Sequence, residues 1–183
     1  MTTIEFKPWP KMGRENPFSV TITEKIDGTN ACVIIEGGEV VGAQSRKRLI
    51  TTENDNYGFA GWVEKNKDDL SILGDGHHYG EWAGLGIQKN PHKLDRKVFF
   101  LFNTFRWVYG NPDMPACCDV VPVLFEGALT PDTIPNLLDV LITNGSQVLA
   151  MDGKPEGVVV YHHSLRGYTK HTINSPDGKW CKT

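Results

Sequence analysis

No apolar run in this sequence approaches the roughly 18 residues of a membrane-spanning helix, so no membrane partner is expected. The polar N-terminus does not read as a secretory signal. An excess of positive charge is also missing. Nineteen Lys and Arg face 22 Asp and Glu, giving a net charge of -3 and a pI of about 6.1. A whole-surface electrostatic grip on nucleic acid is thereby excluded, and any such surface must be local. Cysteine is scarce: Cys32, Cys117, Cys118 and Cys181 form no CxxC pair. This argues against a zinc knuckle and fits reduced thiols in an intracellular, cytoplasmic protein. His77-His78 and His162-His163 have no cysteine at zinc-ligand spacing. Repeats, low-complexity tracts and a linker are lacking too, so a single domain over residues 1–183 is expected.

What is present is an ordinary globular composition, with 39% hydrophobic residues, 19 Gly and 11 Pro. Residues 1–17 read as an irregular lead-in with three prolines. Ser19 to Glu24 alternates as a strand. Ala31 to Glu36 and Glu39 to Gln44 flank Gly37-Gly38, a two-residue hairpin signal. That hairpin should return Ser45-Arg46-Lys47-Arg48 to the end of the sheet where Lys25 lies. Phe59, Trp62 and Val63 fall at helical spacing, which predicts a helix over Phe59 to Leu70 with the aromatic stripe in the core. His77 to Trp82 reads as a short strand, and Lys89 to Lys97 as a polar, basic loop. Val98 to Trp107 reads as one buried strand, and Val120 to Leu124 as a weak one. Thr130-Pro131-Asp132 should open a helix, with Thr as cap, Pro at the first position and an acid in the first turn. Ile134, Leu137, Leu138 and Leu141 form its apolar face, and Asn144-Gly145 ends it. Two last strands fall at Gly157 to His162 and Arg166 to Ile173.

The stretch that organises the chain is Thr23-Glu24-Lys25-Ile26-Asp27-Gly28-Thr29-Asn30. Strand side chains alternate, so a lysine and an acid two residues on point to one face. Gly28 allows a close approach. An amine attacks only when neutral; a nearby cation favours that form and a nearby carboxylate opposes it. Asp27 therefore makes better sense as a metal holder than as the activator of Lys25.

Lys25-x-Asp27-Gly28-x-Asn30 resembles motif I of the covalent nucleotidyltransferases, which comprise ATP-dependent RNA ligases, DNA ligases and mRNA capping enzymes. Asn30 is most similar to the RNA ligase 2 branch. Four further stretches resemble family motifs in the family's order. Ser45-Arg46 resembles motif Ia, whose arginine contacts phosphate, with Arg48 as a competitor. Gly80-Glu81-Trp82-Ala83-Gly84 resembles motif III, its small residues suggesting that something approaches closely. Phe99 to Asn103 resembles motif IIIa, in which an aromatic, here Phe102, stacks on adenine; Asn103 stands where the family often has Asp. Glu156-Gly157-Val158-Val159-Val160 resembles motif IV. Tyr168-Thr169-Lys170-His171-Thr172 resembles motif V, with Lys170 alone in place of the usual two lysines. Either Tyr168 or Thr172 replaces the other, and Lys179 is a possible substitute.

The resemblance implies an α+β nucleotidyltransferase fold of antiparallel sheets with packed helices. It implies an ATP-dependent RNA ligase that joins 5′-phosphate to 3′-OH ends through a lysyl-AMP on Lys25. Asp27, Glu81 and Glu156 would hold Mg²⁺ or Mn²⁺, and Arg46 and Lys170 would stabilise phosphate charge. Glu24 corresponds to a position that contacts adenine, and Asn30 to one that helps hold the ribose or the end being joined. RNA ends are the implied partner, as a nicked duplex or a cleaved structured RNA. Arg46 to Arg48 and Lys89 to Lys97 are candidate phosphate contacts, and a helper protein could add strand binding. A phage or bacterial RNA-repair role fits by analogy. A small DNA ligase or a capping-type guanylyltransferase is the nearest alternative. A catalytically decayed protein that binds nucleotides or RNA ends is the other.

Overall fold

The computed structural model of the chain describes residues 18–148 and 153–181, with side chains through residue 174. The expected lead-in over residues 1–17 and the side chain of Lys179 lie outside this description.

Two sheets carry the fold. The first holds β1 (Ser19–Glu24), β8 (Val123–Ala128), β9 (Gly157–His162), β10 (Gly167–Thr172) and β11 (Ser175–Cys181). Its order is β11-β10-β9-β1-β8. The second holds β2 (Thr29–Glu36), β3 (Glu39–Ser45), β4 (Leu49–Ile50), β5 (Gly76–Gly84), β6 (Lys97–Leu101) and β7 (Cys118–Val120). Its order is β4-β3-β2-β5-β6-β7. All pairings are antiparallel except that of β6 with β7. The expected α+β architecture is what the chain adopts.

Each sheet buries one face against helices, as strand alternation dictates. In the second sheet Ala31, Val33 and Ile35 of β2 join Trp82, Phe99 and Leu101. These pack on Phe59 and Val63 of α1 (Phe59–Lys65) and Leu70 of α2 (Lys67–Ser71). In the first sheet Val20, Ile22, Val158 and Val160 pack on Leu138 and Leu141 of α3 (Thr133–Asn144). Ile26, Ala83, Leu94, Val98, Phe100, Val121 and Val148 form a third cluster. The opposite faces carry the site side chains discussed below, together with Ala83 and Phe100 of the third cluster on the second sheet.

Local chemistry explains most boundaries. Gly37 and Gly38 both adopt positive φ, 62° and 79°, as a type I′ hairpin turn requires. The Asp75 carboxylate accepts both their N–H groups, at 3.1 and 2.7 Å. The expected helix over Phe59 to Leu70 is instead two short helices. Asn66 breaks it, its side-chain amide donating to Trp62 O at 2.7 Å, a local bond that competes with helix continuation. Asp55 starts α1 by accepting the N–H groups of Ala60 (2.8 Å) and Gly61 (3.0 Å). The helix expected from Thr130 begins at Thr133 with Asp132 at the cap position. Thr130 is spent on the preceding turn, where its hydroxyl meets that of Thr133 at 2.8 Å. The strand expected over Val98 to Trp107 ends at Leu101. Beyond it Asn103 O accepts the N–H groups of Arg106 and Trp107, and the chain turns. The weak strand over Val120 to Leu124 resolves into the end of β7 and the start of β8, and β11 is an addition to the expected set.

Candidate active site

The candidate nucleophile lies where the two sheets meet. β1 ends at Glu24, beside the start of β9, and the Lys25 N–H donates to Gly157 O at 2.9 Å. This pairing brings Glu156 beside Lys25, and the two side chains form an ion pair with Nζ to Oε2 at 2.5 Å. Both side chains remain partly open to solvent, at 20% and 30% exposure.

On the second sheet Asn30 and Glu81 are register partners between β2 and β5. The Asn30 side-chain amide donates to Glu81 Oε2 at 2.9 Å. Burial pushes the Glu81 carboxyl up to about 7; Lys25 and the Asn30 bond oppose the shift, while Glu156 and Asp27 add to it. Lys25, Asp27, Glu81 and Glu156 thus act on one another electrostatically, although they come from three separate stretches. Among the described residues no three His, Cys, Asp or Glu side chains converge closely enough to grip a metal directly. The donor set is nonetheless of hard oxygens, and a buried carboxyl pushed upward beside two other carboxylates is a place that a cation would stabilise. Such a set suits Mg²⁺ held through its waters.

Gly28 owes its identity to this crossing. A Cβ there would lie 2.5 Å from Trp82 O and 2.9 Å from Ala83 Cβ, so the loop carrying Asp27 presses on β5 backbone. Gly80 has the same reason: a Cβ would stand 2.4 Å from Phe100 O. The close approach expected at the small residues around Glu81 is therefore made, at Gly80, by the protein's own neighbouring strand.

A cleft of about 210 Å³ opens beside Asn30, lined by Arg46, Tyr79, Gly80 and Phe102 among others. The Gly37-Gly38 hairpin returns Ser45 opposite Ala31, which brings Arg46 to this cleft. Phe102 is 40% exposed. Arg48 is engaged elsewhere, donating to Asn54 O at 2.7 Å and Asp55 O at 3.1 Å. Lys170 is exposed on β10 opposite Val159, on the sheet face away from α3.

Glu24 is placed differently from its neighbours. Its side chain is fully buried, and its two oxygens accept Ser146 Oγ–H at 2.5 Å and Gln147 N–H at 2.7 Å. Burial pushes its carboxyl upward, and the two hydrogen bonds hold it back. In this arrangement the carboxylate is turned inward, onto the loop that follows α3.

His92 is the site residue that sequence reasoning missed. It is fully buried, and its Nε2 accepts the Asp27 N–H at 3.0 Å. That bond leaves the ring proton on Nδ1, which faces Ser146 Oγ at 3.3 Å and Glu24 Oε1 at 3.9 Å. Burial holds the imidazole's pKa below its ordinary value; Asp27 opposes that shift and Lys25 adds to it. The segment Lys89 to Lys97 is accordingly more than a solvated basic loop. His92 and Leu94 are buried, and Lys97 Nζ donates to Tyr57 O at 2.6 Å.

Sheet order and site geometry define a nucleotidyltransferase-like fold of the ligase type. A family model for RNA ligase matches residues 18–181, and the chain belongs to that family. Solved structures of a Naegleria gruberi RNA ligase share the fold. One variant with ATP and Mn superposes with a TM-score of 0.60 at 21% identity, over 87% of this chain and 50% of that one. Another with AMP and Mn gives 0.58 at 20% identity, over 87% and 51%. An apo variant gives 0.59 at 21% identity, over 87% and 50%. The chain thus spans about half the length of these proteins. No curated protein matches it in sequence.

Proposed function

We propose that this chain is the nucleotidyl-transferring part of an ATP-dependent RNA ligase, with Lys25 as nucleophile and RNA ends as the joined substrate. The observation that carries the reading is the Lys25–Glu156 ion pair, 2.5 Å long, set among Asp27 and Glu81. The Naegleria enzyme solved with ATP and Mn supports the choice of nucleotide and of a divalent cation.

Lys25 Nζ attacks the α-phosphorus of ATP. A phosphorus–nitrogen bond forms, the bond to the β-phosphate oxygen breaks, and pyrophosphate leaves. Before the attack the amine of the ion pair gives its extra proton to Glu156, a transfer that a cation nearby would favour. Arg46 and Lys170 offer cations to the phosphates, Arg46 as a planar fork. Phe102 offers its face to the adenine, and Asn30 holds Glu81 while leaving its own carbonyl for the sugar or the RNA end. Asp27, Glu81 and Glu156 would hold a divalent cation, which would supply charge neutralisation at the α-phosphate. His92 is a positioning residue, fixing the backbone of Asp27. AMP then passes from Lys25 to an RNA 5′-phosphate, and a 3′-OH displaces it. An RNA-repair role, in a bacterial or phage-infected cytoplasm, is the setting that analogy suggests. No helix among the described residues is long and apolar enough to cross a membrane.

Mass spectrometry after incubation with ATP and Mg²⁺ tests the reading. Wild-type protein should gain the mass of one AMP, and Lys25→Ala should gain none. Binding of ATP or RNA by a folded protein with no adduct from ATP, GTP or NAD would instead favour a decayed binding protein. An adduct with GTP alone would indicate capping chemistry, and preferential joining of DNA nicks a DNA ligase.

A further inference from the structure

Four rings meet where the turn after β6 reaches the first sheet. Phe105, in the turn after β6, packs edge-on to Tyr161 with centroids 5.9 Å apart and to His163 at 5.5 Å. Tyr161 also contacts His163 at 5.2 Å and Tyr168 of β10 at 4.9 Å. Tyr161 and Tyr168 are register partners, as are Val159 and Lys170. Alternation therefore sets Lys170 on the same sheet face, two residues from Tyr168. Phe105 is 67% exposed and Tyr168 39%. Core packing does not account for two large rings held this open. Neither do they line the cleft beside Asn30, to which this region contributes Phe102 instead.

We propose that this cluster is a stacking platform for an unpaired base of the RNA strand being joined. Exposed aromatics on an open antiparallel sheet are a combination by which proteins hold single-stranded nucleic acid. The choice of RNA as occupant rests on the ligase reading above. The cluster is joined to the proposed catalytic cleft by the turn at Asn103: Phe102, which lines the cleft, precedes that turn and Phe105 lies within it. It also supplies local affinity on a chain whose net charge of -3 gives none overall.

The test is fluorescence anisotropy with a labelled single-stranded RNA bearing a 5′-phosphate. Wild type, Phe105→Ala and Phe105→Trp are compared as the 183-residue chain, and adduct formation is followed on the same preparations. Phe105→Ala should weaken RNA binding about tenfold, the size of one lost base–aromatic stack. Phe105→Trp should restore it, and the ATP dependence of adduct formation should not move. An RNA with abasic residues should bind wild type and Phe105→Ala alike. Equal affinity of those two proteins for the normal RNA would overturn the proposal. So would a loss that persists on abasic RNA, which would make Phe105 a packing residue. A raised KM for ATP with unchanged RNA binding would overturn it too, giving the rings to adenine. If the RNA pattern holds but no AMP adduct forms, the ligase reading fails and the platform stands.

Discussion

At Glu81, burial opposes ionisation most strongly; Lys25 and Asn30 favour it, and Glu156 and Asp27 oppose it further, leaving the carboxyl at about 7. A folded-state value raised above the unfolded one has a definite sign. The stabilising contribution is full below about pH 4.5 and is lost as pH rises through about 7. In the absence of divalent cations, Glu81→Gln should therefore melt higher than wild type at pH 8 and differ little from it at pH 4.5. The gap should reach up to roughly 2–3 kcal/mol, since one pKa unit is worth about 1.4 kcal/mol. Thermal melts of both proteins across this range check it. Glu24 and His92 also titrate with shifted values, but they are common to both proteins and drop out of the difference. Parallel profiles would show that Glu81 is not the group responsible.

At the scale of elements, the crossing of the Asp27 loop over β5 makes a sharp demand at Gly28. Gly28→Ala should push that loop off Trp82 O, costing roughly 1–3 kcal/mol as overpacking against backbone does. It should slow AMP-adduct formation by more than the same loss of stability elsewhere would. Comparison with a surface variant of equal melting temperature distinguishes the two. Much of this framework was legible in sequence, because its signals are local. Alternation marks β1 and β9, Gly37-Gly38 announces its own hairpin, and the apolar face of α3 repeats at helical spacing. Lys25, Glu81 and Glu156 could be chosen because each stands in a recognisable stretch. What was illegible depends on distant partners. Phe102 to Trp107 continues the apolar run of β6, and only the turn at Asn103 separates a buried Trp107 from an open Phe105. The break at Asn66 rests on one side-chain bond. His92 had no local signal, since a single histidine in a polar loop shows nothing of the Asp27 N–H and Ser146 that it meets.

For the whole molecule, His92 is a joint. It ties the segment before β6 to the end of β1 and to the loop after α3, so three parts of the chain share one buried imidazole. Replacing it should be felt globally. His92→Ala leaves the Asp27 N–H without its acceptor and should cost roughly 2–4 kcal/mol. In a chain of this size that lowers Tm by about 5–15 °C, and adduct formation should slow even where the variant remains folded. Calorimetry with single-turnover adduct kinetics would check both. Unchanged values would show that Asp27 is held by other means. The pairing of β1 with β9 has a consequence in time. Lys25 and Glu156 lie 131 residues apart in the chain, with the whole of the second sheet between them. On the ribosome Lys25 is therefore made well before the carboxylate that pairs with it. A nascent chain that stops short of Glu156 leaves Lys25 without the carboxylate it meets, so the pair is assembled by folding and not by local sequence.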